Sequence, residues 1–189
     1  MLKMSLLACI IGVCAASTLM RPASGAELRA ISSNSGSMQV RVAGKQPLTF
    51  NESALAGLPR GSITAGAHDE KPSRWEGVAL VELLRRAGAP LDRQLRGRAM
   101  SQFVRVTAAD GYQVVFSLAE LDPAFGDRKV LLVDRQDGHP LSGKDGPLRL
   151  VVAGDKRPAR WVREVETIDV VDGSVPGRSS PRGNTIPAR

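Results

Sequence analysis

A chain of 189 residues with 42% apolar side chains is long enough to bury a single core and too apolar for a disordered polymer. Its only cysteines are Cys9 and Cys14, so a disulfide framework or a thiolate metal cluster further along is excluded. The formal net charge of +7 favours acidic small ligands or anionic surfaces; without a nucleic-acid motif it does not point to DNA or RNA.

The first residues read as an export signal. Lys3 supplies the positive start, residues 6–19 are apolar or small, and Ser24-Gly25-Ala26 offers a small-x-small cleavage site. Residues 1–26 are therefore expected to be removed, leaving a periplasmic or secreted protein with no thiol and no membrane span. Residues 27–37 are serine-rich without periodicity and read as an arm. From residue 172 to 189 the chain is glycine, proline, serine and arginine with little to bury, which predicts a disordered basic tail.

Between them, residues 38–171 carry the pattern of one folded domain. Met38, Val40 and Val42 alternate with polar neighbours as in a half-buried strand, residues 44–47 turn, and Leu48-Thr49-Phe50 pairs back. Asn51 is an N-cap candidate for a short helix over residues 52–58, stopped by Pro59. Trp75-Glu76-Gly77 reads as a turn, with Trp75 covering the core, ahead of a helix over residues 79–87 that Gly88 and Pro90 end.

Residues 103–108 and then Tyr112, Val114 and Phe116 alternate around Asp110-Gly111, a hairpin signal. Ser117-Leu118-Ala119-Glu120 has the form of a capping box for a helix ending near Asp122-Pro123. Residues 130–133 are apolar on both faces, as in a central strand, and Asp137-Gly138 turns the chain. Residues 148–153 make a second buried strand. A last strand over residues 160–171 needs a bulge between Val162 and Val165 to keep both on one face.

The chemistry-bearing candidates cluster in Gly154-Asp155-Lys156-Arg157-Pro158-Ala159-Arg160-Trp161-Val162-Arg163. A glycine lets backbone approach a ligand, and guanidinium groups grip phosphate or carboxylate bidentately. The plainer reading of the same residues is a solvated loop joining two strands. His68 and His139 are the only histidines, too few for a typical catalytic zinc site. Neither a nucleophile elbow nor a P-loop is present, since Gly143-Lys144 lacks the preceding spaced glycines.

Leu58-Pro59, Trp75-Glu76-Gly77-Val78-Ala79-Leu80 leading into Leu83-Leu84, Ala109-Asp110-Gly111-Tyr112, and the block from Gly146 to Arg163 follow one another in an order that resembles the molybdopterin-binding domain of the sulfite oxidase family. The resemblance implies a single-domain α+β fold with a mixed or antiparallel β core and short helices. It also implies a molybdopterin cofactor, with Gly154, Lys156, Arg157 and Arg160 around its phosphate and Arg163 nearby. In that family the metal-ligating cysteine falls in the stretch that is here Ile63-Thr64-Ala65-Gly66-Ala67-His68-Asp69-Glu70, where no cysteine stands.

His68 is the only nitrogen donor of that stretch, and a dithiolene-bound metal prefers thiolate, so His68 is expected to line a pocket rather than hold a metal. Enzymes of the family that work outside the cytoplasm travel folded under a twin-arginine signal, which Met1-Leu2-Lys3-Met4-Ser5 lacks. Two functions stay open. The chain is either a binding module for an anionic small molecule, a pterin phosphate or an envelope protein, or a molybdopterin-dependent oxidoreductase of sulfite oxidase type.

Overall fold

The computed structural model describes residues 36–66 and 71–174. The expected signal and most of the arm and tail lie outside these residues, as does His68. Among the described residues ten strands form two five-stranded sheets, and the inward side chains of both sheets join one hydrophobic core.

The first sheet begins with β1 (Met38–Val42), whose strict inside–outside alternation buries Met38, Val40 and Val42. β2 (Leu48–Phe50) pairs back antiparallel, as its spacing predicts. Asn51 then caps α1 (Glu52–Ala56) by accepting the Ala54 N–H at 2.8 Å, and the helix stops at Gly57, before the proline.

β3 (Arg60–Ala65) and β4 (Ser73–Ala79) open the second sheet as an antiparallel pair. This corrects the reading of Trp75-Glu76-Gly77 as a turn: all three lie inside β4, with Trp75 buried as expected. Gly77 is there because a Cβ would stand 2.0 Å from the Leu132 carbonyl oxygen of the neighbouring strand. α2 (Leu80–Arg86) follows directly, burying Leu80, Leu83 and Leu84, and Gly88 ends it at φ +80°.

β5 (Gln102–Ala108) and β6 (Gln113–Ser117) form the hairpin over Gly111, which sits at φ +86°. α3 (Leu118–Leu121) starts on Ser117, whose hydroxyl accepts the Ala119 N–H. The reciprocal half of the expected capping box is replaced: the Glu120 carboxylate accepts from Arg160 instead. Asp122, fully buried at the helix end, accepts the N–H groups of Asp92 and Ala124 and so ties the preceding loop to α3.

β7 (Val130–Gln136) is the central strand of the second sheet, with β4 on one side and both β8 (His139–Pro140) and β9 (Arg149–Val152) on the other. Being covered on both faces, its first four residues are all buried, as their uniform apolarity demands. The chain then leaves the second sheet through a short turn at Pro158–Arg160 and enters the first as β10 (Val165–Asp172). β10 lies parallel to β1 and antiparallel to β5, which makes the first sheet mixed.

The last strand is shorter than its sequence suggests. Residues 161–164 are irregular rather than extended, and the register shift falls between Val165 and Thr167, not between Val162 and Val165. Glu164 takes a left-handed backbone conformation, φ +46°, which turns the chain by itself.

Candidate functional site

The irregular segment before β10, the hairpin turn between β5 and β6, and the start of β9 enclose a cleft of about 440 Å³. Its positive groups are Lys144, Arg149 and Arg163, and Tyr112, Trp161, Asp110 and Glu164 complete the wall. Arg149 opens β9, where every residue is buried, and burying a guanidinium there requires compensation. The compensation is visible: Asp145 accepts from Arg149 Nη1 at 2.7 Å, and two tryptophan rings flank the cation.

The guanidinium carbon of Arg149 lies 4.9 Å from the Trp75 ring centre and 5.6 Å from that of Trp161, within reach of the negative faces of both. The two indoles meet edge to face at 5.8 Å. Each is fixed by its own N–H, that of Trp75 to the Ala65 carbonyl and that of Trp161 to the Val152 carbonyl. Asp145 also forms an ion pair with Arg163, whose Nε lies 3.0 Å away, so one carboxylate faces two guanidiniums. Tyr112, half exposed, donates its hydroxyl to the Ala159 carbonyl at 2.7 Å and pins the opposite rim.

The basic residues singled out in the sequence are placed elsewhere. Lys156 and Arg157 are exposed and are not among those lining this cleft. Gly154, at φ +79°, turns the loop against Arg128. Arg160 is held by two bonds to Asp155, at 2.9 and 2.7 Å, and one to Glu120 at 3.0 Å, above the Phe116 ring. Hydrogen bonding to Asp155 raises the pKa of Arg160 more than burial lowers it, so it stays a cation whose charge is already matched.

Arg160 thus joins α3 to the loop before β10, as a structural pin. Arg160→Ala should lower stability by about 1–2 kcal/mol, the partial exposure of the pair limiting the loss. Phosphate binding, followed by calorimetric titration, should be unchanged. The residues that do line the cleft left a weaker signal, yet Arg149 carried one: a lone cation inside the apolar run Leu148–Val152 must be paired or functional.

No group of three or more His, Cys, Asp or Glu able to hold a metal occurs among the described residues, and no helix among them is long and apolar enough to cross a membrane. The fold and the cleft together define a mixed-sheet α+β domain with a charged, tryptophan-backed cleft. The chain belongs to the oxidoreductase molybdopterin binding domain family, whose model matches residues 26–178.

Among solved structures, it is similar to the sulfane dehydrogenase SoxCD from Paracoccus pantotrophus, with a TM-score of 0.57 and 20% sequence identity. That match covers 74% of this chain but only 39% of the other, so the likeness is one of fold. No curated protein matches the chain.

Proposed function

We propose that this is an exported member of the molybdopterin-binding family that works as a binding module, holding the acidic group of a small ligand on Lys144, Arg149 and Arg163. The observation that carries the reading is the convergence of these three cations on one cleft, two of them oriented by a shared carboxylate. Preset guanidiniums bind carboxylate or phosphate without first losing side-chain freedom.

The family's molybdenum centre does not fit the donors present. It is held through a cysteine thiolate, and the sequence has no cysteine beyond Cys14. The same cations would suit the phosphate of a pterin, so the family ligand without its metal remains within the proposed anion class. A family built around a redox cofactor supports the second reading, a molybdopterin-dependent oxidoreductase.

Metal analysis and pterin fluorescence on protein taken from its native cell envelope separate the two. The binding-module reading requires no stoichiometric molybdenum and no metal-dependent turnover; molybdenum at one atom per chain would overturn it. On the site itself, the double variant Lys144→Glu/Arg163→Glu should weaken binding of inorganic phosphate by about 100-fold or more. The matched change at Lys156 and Arg157 should alter it little. The reverse pattern would move the site back to the exposed loop.

A further inference from the structure

The cleft is not simply basic. Asp145 matches part of the charge of Arg149 and Arg163, and two more carboxylates, Asp110 and Glu164, line the same walls. Three cationic residues and two acidic ones therefore line one cavity, with Asp145 pairing two of the cations from outside the lining. Among the described residues neither Asp110 nor Glu164 comes within ion-pairing distance of a cation, and Lys144 is likewise without a partner. Asp145 thus partly neutralises two of the cations, while Lys144, Asp110 and Glu164 share the cleft without pairing.

Glu164 is placed there at a cost. A glutamate at φ +46° is uncommon, because its Cβ crowds the backbone, and such positions persist where the surroundings fix them. Here the Ala109 N–H donates to the Glu164 carbonyl at 3.0 Å, and the next residue, Val165, donates to the Leu148 carbonyl at 3.0 Å. Glycine would fit the same turn without strain. Glu164 is thus held in the cleft wall by a turn that does not need its side chain.

A plain anion drawn to Lys144 and Arg163 would meet repulsion from Asp110 and Glu164. A ligand carrying its own ammonium group turns that repulsion into attraction. Resting on the anion-binding reading for its acidic half, we infer that the cleft takes a small zwitterion, its acidic group on Lys144 and Arg163 and its ammonium on Glu164 and Asp110. The volume, about 440 Å³, lies near the lower end for small-molecule sites and suits a free metabolite of amino-acid size rather than a polymer.

Aspartate and succinate, which differ only by one ammonium group, are the probes. Calorimetric titration of the whole protein should show aspartate binding about tenfold or more tightly than succinate. In Glu164→Gln the preference should collapse while succinate binds at least as well as before. Glu164→Gly, which relaxes the turn, should do the same with thermal stability maintained, so a folding defect cannot mimic the outcome. Equal binding of the two probes by the wild type, or a preference surviving in both variants, overturns the zwitterion and leaves the anion site standing. Binding of neither probe removes both.

Discussion

Replacing Gly77 by alanine should lower the melting temperature by roughly 10 °C or prevent cooperative folding, the largest effect expected from adding one methyl group to this chain. The added Cβ would lie 2.0 Å from the Leu132 oxygen, 2.5 Å from the Val133 Cα and 2.7 Å from the Leu132 carbonyl carbon. All three are backbone atoms of β7, which is clamped by β9 on its far side and cannot retreat. The pairing explains the approach: Glu76 faces Arg135 but Gly77 faces Val133, so β7 bulges at Asp134 and presses its backbone onto the glycine. Gly61, directly opposite Gly77 on β3, is the control. Its Cβ would meet only the flexible end of Leu131 at 3.6 Å, so Gly61→Ala should change stability by less than about 1 kcal/mol. Equal stability of both variants, measured by thermal unfolding, would show that the bulge does not exist in solution.

That bulge also marks where the sequence stops being readable. β1, β5 and β6 follow from alternation because each has one wet and one dry face, and β7 follows from uniform apolarity because it has none. Gly77 reads locally as a turn, since its true reason is a backbone from residues 132 and 133. The irregular run before β10 was hidden the same way: Glu164 gives no hint of a left-handed turn, a conformation usually left to glycine or asparagine.

The site was half legible for a related reason. Density of positive charge drew attention to Lys156, Arg157 and Arg160, yet net charge depends on neighbours, and Arg160 is matched by Asp155 in its own loop and by Glu120 from α3. Arg149, a cation in an apolar strand, was passed over, and its two aromatic neighbours come from residues 75 and 161 and meet only after folding. The family resemblance supplied the fold that periodicity alone could not, while the cleft's charge pattern belongs to this chain's own residues.

Truncating Trp75 should be nearly as damaging as the change at Gly77 and should reach the cleft as well. The ring is 4% exposed, and removing a buried aromatic of this size costs about 3–5 kcal/mol. Beyond the cavity, Trp75→Ala leaves the Ala65 carbonyl without the indole N–H at 3.0 Å and deprives Trp161 of its edge-to-face neighbour. Trp75→Phe keeps an apolar ring but drops the N–H, so it should recover most of the stability. The effect on binding runs through Arg149, which loses the nearer of its two aromatic faces and with it part of what holds the guanidinium toward the cleft. A double-mutant cycle of Trp75→Ala with Arg149→Met should give a coupling energy of about 0.5–2 kcal/mol in chemical unfolding. Phosphate affinity should fall in Trp75→Ala even at temperatures where the variant is fully folded. A coupling near zero, with phosphate affinity unchanged in the folded variant, would mean that Asp145 alone positions Arg149 and that the tryptophan pair serves the core and nothing else.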